Sequence, residues 1–292
     1  GFLESNPEKG NHIITSKTEH KAVLATCGYL ETKGYEVTYL DVDENGLISL
    51  KQLRDSVKKN TLLVVIMHVN NETGVIQPIK EIGEITRENK TTFFCDATQA
   101  VGKVKVDIEE DLIDMLCFSG HKLNGPKGIG VLYKRKDIEI SPIIHGGGQE
   151  YGLRSGTYNT PLIVGLGKAC EIGYKEMDEN YNKFKDLNSY LKKSLGKIIS
   201  FKEISQENNR IFNIINLIIP GLDAEGFMAK NNSLSISNGS ACNSELIEES
   251  HVIKAMYSKN SSSNNYIRIS FEKYSSKKDI DNLVEALKIY LN

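Results

Sequence analysis

Short apolar runs alternate with segments of helical period along the first half of the chain, and this alternation restricts the fold more than any other feature. Residues 12–15, 37–40, 62–69 and 93–97 read as strands, and 21–33, 50–58 and 79–88 between them read as helices. A strand that returns to its own sheet through a helix pairs in parallel. The pattern therefore predicts an α/β domain with a mostly parallel sheet and helices on both faces. In such sheets ligands collect at the C-terminal ends of the strands. Two further strands, 115–118 and 129–133, flank the turn Gly120-His121-Lys122-Leu123-Asn124-Gly125-Pro126-Lys127-Gly128. A long polar helix is expected over 162–195. Strands follow at 214–219, 234–236 and 266–271, with a helix after Gly221 and a closing helix from Lys278. The expected division is a large domain over 1–161, then a connecting helix and a smaller C-terminal α/β domain over 162–292. The Ser- and Asn-rich stretch 258–265 reads as a flexible loop.

A chain of 292 residues with 39% hydrophobic content has ample material for a buried core. Its 36 basic and 38 acidic residues nearly cancel, so nucleic acid and anionic membrane are not expected partners. No apolar run approaches the roughly 18 residues of a membrane span, and the expected setting is the cytoplasm, or an organelle matrix in a eukaryote. The five cysteines, Cys27, Cys95, Cys117, Cys170 and Cys242, are odd in number and form no CxxC pair, which argues against a disulfide framework and against a structural zinc site. Four lie in apolar surroundings. Cys242 alone sits among Gly, Ser and Asn, in Ser237-Asn238-Gly239-Ser240-Ala241-Cys242-Asn243-Ser244, where a thiol is accessible as a nucleophile.

The remaining chemistry gathers at predicted strand ends. Ser119-Gly120-His121-Lys122 puts an amine where a strand enters a Gly/Pro turn, and a lysine so placed forms Schiff bases once desolvation lowers its pKa. By itself a loop lysine is usually a solvated charge. Phe93-Phe94-Cys95-Asp96-Ala97-Thr98-Gln99 puts a carboxylate at another strand end, where it suits the ring nitrogen of a pyridoxal cofactor or, more plainly, a helix cap. Thr18-Glu19-His20 offers an imidazole that stacks or moves protons. Asn70-Asn71-Glu72-Thr73-Gly74 offers amides, although turn chemistry alone explains Asn and Gly there. His145-Gly146-Gly147-Gly148-Gln149-Glu150 and Arg154-Ser155-Gly156-Thr157 suit a phosphate or a neighbouring subunit.

Taken together, these segments resemble the cysteine desulfurases of the NifS and IscS type, which are fold type I pyridoxal-phosphate enzymes. The order and spacing of His20, Asn71, Asp96, Gln99, Lys122, Thr157, Cys242 and Arg268 agree over nearly the whole chain. The resemblance implies that Lys122 carries pyridoxal 5'-phosphate covalently, Asp96 pairs with its ring nitrogen and Gln99 with its phenolic oxygen. It implies that His20 stacks on the ring, that Ser119 and His121 bind the phosphate, and that Thr157 reaches the phosphate of a partner subunit in a homodimer. Asn71 and Arg268 match positions that hold the substrate carboxylate, Asn71 also counting among the cofactor's neighbours. L-cysteine then yields L-alanine and a persulfide on Cys242. From there sulfur goes to acceptor proteins such as an iron–sulfur scaffold or a tRNA-thiolation carrier. No resident metal is implied, although the Cys242 thiolate can ligate an iron–sulfur cluster in transfer. The family also has an N-terminal segment, contributing a Thr to the phosphate site, that nothing in this sequence matches. Two alternatives stand beside this reading: another pyridoxal-phosphate lyase or aminotransferase of the same fold, and an inactive relative acting as a scaffold.

Overall fold

The structure is a computed structural model describing residues 1–205, 209–238, 250–257 and 265–291. It divides into two compact units. One comprises Gly1–Asp41, Ile48–Val69 and Gln77–Glu176, and the other Val42–Leu47, Asn70–Ile76 and Met177–Asn292.

The first unit holds strands β1 (His12–Ser16), β2 (Glu36–Leu40), β3 (Thr61–Met67), β4 (Thr92–Asp96), β5 (Met115–Ser119) and β6 (Gly130–Lys134). They form one sheet in the order β2-β1-β3-β4-β5-β6. Every pairing is parallel except the last, where β6 runs antiparallel to β5. The parallel part is what the strand–helix alternation demands, and β6 turns back because only a tight Gly-rich turn separates it from β5. All seven residues of β3 are buried, so the middle of the sheet is covered on both faces. On one face Ile13, Leu63, Val65 and Met115 pack with Cys27 of helix α1 (Lys21–Glu31) and with Phe2 and Leu3. Helices α2 (Leu50–Ser56) and α3 (Ile79–Glu88) complete the crossovers. In α3 the buried residues Ile79, Ile82, Ile85 and Thr86 recur at helical spacing, while Lys80, Glu81, Glu84 and Arg87 fill the other positions.

The expected single helix over 162–195 is two, α4 (Thr160–Lys175) and α5 (Met177–Leu195), parted at Glu176, whose backbone leaves helical geometry at φ −98 and ψ 1. Two cores explain the break. Leu166 and Ala169 of α4 are buried in the first unit, whereas Leu187, Leu191 and Leu195 of α5 belong to the core of the second. Asn159 caps α4 by accepting the Leu162 N–H at 3.4 Å.

In the second unit β7 (Lys202–Glu203), β8 (Ile214–Ile218) and β9 (Tyr266–Ser270) form an antiparallel sheet in that order. It packs with α5 and with α8 (Lys277–Leu291) around Ile215, Leu217, Ile267 and Phe227, the last from α6 (Ala224–Lys230). A final short helix, α7 (His251–Met256), packs Val252, Ile253 and Met256 with Ile204 and Tyr266. The expected strand at 234–236 is reduced to one bridge, Ser237 to Arg268. No helix among the described residues is long and apolar enough to cross a membrane.

Candidate active site

Because β1, β3, β4 and β5 are parallel neighbours, their C-terminal ends share one edge of the sheet, and the first unit presents its reactive groups there. His20 lies just past β1 as the N-cap of α1. Its Nδ1 accepts the Ala22 N–H at 3.2 Å, so in the neutral ring the proton sits on Nε2. Asp96 is the last residue of β4 and stands opposite Cys117 of β5. One of its oxygens accepts the Thr98 N–H at 2.9 Å. Three residues on, the Gln99 Oε1 accepts from the Lys103 amine at 2.5 Å. Burial, with the charge of Lys122 second, pulls that Lys103 amine down to about 8.

Ser119 closes β5, and the chain passes at once into the single 3-10 turn Gly120–Leu123. Asn124 ends the turn in the left-handed region at φ 59, where its N–H donates to the Gly120 carbonyl. This turn leaves His121 and Lys122 exposed. The Lys122 amine makes no hydrogen bond or ion pair with the described residues. Partial burial and the charges of Lys122 and Lys127 hold the His121 imidazole below its ordinary value, which favours the neutral ring. An uncommitted amine and a carboxylate on adjacent strand ends, with a hydroxyl and an imidazole beside the amine, fit a cofactor that carries a carbonyl, a basic ring nitrogen and a phosphate.

Glu19, beside His20, is fully buried, and its polar sequence neighbourhood, Ser16-Lys17-Thr18-Glu19-His20-Lys21, gives no sign of that burial. Its Oε1 accepts from the Met67 N–H at 2.9 Å and the Ser16 hydroxyl at 3.0 Å, fastening the end of β1 to the end of β3. Burial raises its carboxyl to about 8. The two hydrogen bonds oppose the shift and the Asp96 charge adds to it. At neutral pH Glu19 is therefore a neutral acid.

Asn71 and Arg268 lie in the second unit. Asn70 builds a tight turn there, its Oδ1 accepting the N–H groups of Glu72 and Thr73, both at 2.9 Å. Gly74 ends the turn at φ +74. A Cβ there would come within 3.2 Å of the Ile214 carbonyl, so the turn requires glycine. Arg268, on β9, donates from Nη1 to the Asn71 carbonyl at 3.2 Å, so the structure brings these two candidate residues into contact. Arg268 also exchanges backbone hydrogen bonds with Ser237. The Glu72 side chain, for which the sequence offered no role, accepts from the Ser250 hydroxyl at 2.5 Å.

Thr157 is exposed in the connection ahead of α4. The stretch before it is tied together by Ser155 donating to the Gly147 carbonyl at 2.6 Å and Arg154 donating to the Ser155 and Gly156 carbonyls. The thiols of Cys27 and Cys117 are pushed up by burial to about 11 and about 12, and those of Cys95 and Cys170 are raised for the same first reason. They are poor nucleophiles at neutral pH. Cys242, and all of the low-complexity stretch 258–265 except Asn265, lie outside the described residues. Among the described residues no group of His, Cys, Asp and Glu is arranged to hold a metal ion.

Comparison with known proteins bears on these groups together. A family model described as aminotransferase class-V matches residues 1–283. Cysteine desulfurase IscS of Methanosarcina thermophila is 43% identical over 289 residues, which are 98% of this chain and 72% of that protein. Cysteine desulfurase IscS of Ehrlichia chaffeensis is 43% identical over 284 residues, covering 96% of this chain and 69% of that protein. Among solved structures, a NifS-like protein superposes with a TM-score of 0.91 at 35% identity, over 99% of this chain and 77% of that one.

Proposed function

This chain belongs to the class-V aminotransferase family, and among its members to the cysteine desulfurases, and on that premise we propose how its residues divide the work of taking sulfur from L-cysteine. It is a pyridoxal-phosphate-dependent enzyme that converts L-cysteine to L-alanine. When bound, the cofactor supplies an electron sink for the substrate's carbon skeleton. Lys122 holds it through its amine. Asp96 keeps the ring nitrogen protonated, Gln99 donates to the phenolic oxygen, and Ser119 and His121 donate to the phosphate. His20 covers the ring face and moves protons from Nε2. Asn71 and Arg268 orient the substrate by its carboxylate, for which a planar guanidinium is suited.

Cys242 is the sulfur acceptor in this reading. Its thiolate attacks the substrate sulfur, the carbon–sulfur bond breaks, and one sulfur–sulfur bond forms. L-cysteine and the Cys242 thiol thus become L-alanine and a Cys242 persulfide, with all atoms accounted for. A terminal persulfide sulfur is open to attack by a second thiol, so the products serve acceptor proteins such as an iron–sulfur scaffold or a tRNA-thiolation carrier. A cysteine that must be reduced in order to attack suits a reducing compartment, the cytoplasm or an organelle matrix. We further propose a homodimer in which Thr157 reaches the partner's phosphate site. Its support is the run of exposed apolar side chains in the first unit around Thr157: Ile143, Ile144, Tyr151, Tyr158, Ile163 and Val164.

The observation that carries the reading is the pairing of Asp96 and Lys122 at the ends of adjacent parallel strands, with the Lys122 amine uncommitted. The test is the near-visible absorption of the chain loaded with pyridoxal phosphate, before and after L-cysteine, in the native protein and in Cys242→Ser. Both should show a protein-bound band that changes with L-cysteine, and only the native protein should release sulfide when a reducing thiol is added. Full turnover in Cys242→Ser would instead indicate another lyase of the same fold.

A further inference from the structure

Gln99 and Lys103 belong to a run of overlapping turns that follows β4. Val101 donates its N–H to the Ala97 carbonyl at 3.1 Å, and Lys103 and Val104 donate theirs to the Ala100 carbonyl at 2.9 and 3.0 Å. Side chains four residues apart in such helical turns are neighbours, which brings the Lys103 amine to the Gln99 Oε1 at 2.5 Å. Gly102, next to Lys103, holds φ +75, and a Cβ there would come within 2.5 Å of Leu123, the neighbour of Lys122 in the 3-10 turn. The bare backbone at Gly102 therefore lets the two turns touch. Lys103 is half-buried as a residue, but its amine is desolvated: burial, and after it the charge of Lys122, draws the amine down to about 8, still protonated at neutral pH. It forms no ion pair with the described residues, and Lys122 is the charged group that acts on it.

A charged amine has only hydrogens to offer, so the end of the Gln99 amide that faces Lys103 is its oxygen. Both amide hydrogens then point away from Lys103, and they reach no acceptor among the described residues. From this pair we infer that Lys103 is a positioning residue of the cofactor site, its amine fixing the Gln99 amide in the one sense that donates to the phenolic oxygen. The inference rests on the role proposed above for Gln99. Turned over, the amide would set Oε1 against the phenolic oxygen, and two acceptors repel. The charge behind Oε1 also draws electron density through the amide and makes its hydrogens stronger donors. The effect runs through Gln99 and asks no contact of Lys103 with the reacting atoms.

The test is a pH titration of the visible band in the full-length protein saturated with pyridoxal phosphate, without substrate. Proton loss from the bound cofactor leaves more negative charge on the phenolic oxygen, so a donor held there lowers the pH at which the band titrates. Lys103→Met keeps an unbranched chain and removes the amine. Its band should titrate about one pH unit higher than that of the native protein. Lys103→Leu is read in its place if Lys103→Met does not fold. Gln99→Leu should raise the midpoint in the same direction. The double variant should rise no further than the larger single one, because the two residues act as one unit. Lys103→Arg, which keeps a charged donor, should bring the midpoint most of the way back. A native midpoint in the Lys103 variant beside a raised one in Gln99→Leu would overturn the inference. Shifts that add in the double variant would overturn it too, since Lys103 would then act by its charge alone. A native midpoint in Gln99→Leu removes Gln99 from the phenolic oxygen, and the inference falls with the reading beneath it.

Discussion

Glu19 is an acid held where water does not reach, and its effect on the protein has a sign that can be worked out. Its ordinary pKa of 4.5 applies to the unfolded chain and the value of about 8 to the folded one. Between these limits folding takes up a proton. The stability contributed by the raised pKa is complete below about pH 4.5 and is lost as pH rises through about 8. The slope across this window is about 1.4 kcal/mol per pH unit where uptake is complete. Glu19→Gln keeps an oxygen to accept from Met67 and Ser16 and removes the titration. Its melting temperature should therefore fall less between pH 5.5 and 8 than that of the native protein, and exceed it above about pH 8. His68, also buried and lowered to about 4, titrates with the opposite sign in both proteins, so the difference between the two curves isolates Glu19. Parallel curves would mean that Glu19 is ionised in the fold. At this scale the sequence singled out candidate side chains for chemistry but not those that hold them in place. His20, Asp96 and Lys122 stand at strand ends that apolar runs reveal, whereas Glu19, Lys103 and Ser250 take their importance from partners distant in sequence, Met67, Lys122 and Glu72, or from burial that no local pattern encodes.

The elements of the second unit depend on a charge taken out of water. The Arg210 guanidinium is fully buried, bonded to Glu203 of β7 and, at 3.2 Å, to Asn188 of α5, while Lys192 stands 3.4 Å from Glu203 on its more open side. Removing one member of such a group leaves the others desolvated. Arg210→Met should accordingly destabilise the protein by about 3 kcal/mol, and Arg210→Met with Glu203→Gln by clearly less, read from denaturant unfolding of each variant. Equal losses in the two variants would mean that packing, not the stranded carboxylate, sets the cost. Two elements of this region were hidden in the sequence for reasons of their own. β7 is two residues long and has no alternation to display, and the apparent single helix over 162–195 conceals a change of core at Glu176 that a continuous helical period cannot register. The parallel strands of the first unit were legible because each is a compact apolar run set between helices. Their lateral order was not, since β2-β1-β3 depends on which edge each crossover takes.

For the molecule as a whole, the exposed apolar side chains around Thr157 decide whether one chain suffices for activity. Tyr151 is 99% exposed, Ile143 75% and Val164 66%, an arrangement that a monomer in water gains nothing by keeping. If a second copy covers them, Val164→Lys buries an unpaired charge at the interface and should shift the protein towards monomer in sedimentation. It should also weaken pyridoxal-phosphate retention by about tenfold, because the partner's Thr157 hydroxyl is withdrawn with the partner. Thr157→Val separates the two effects. It removes the hydroxyl without touching the apolar face, so it should weaken retention while leaving the mass dimeric. A Val164→Lys variant that sediments as a monomer yet holds its cofactor like the native protein would confine Thr157 to its own chain. A variant whose mass is unchanged would place the subunit contact elsewhere, and the exposed side chains around Thr157 would then call for an acceptor protein as their partner.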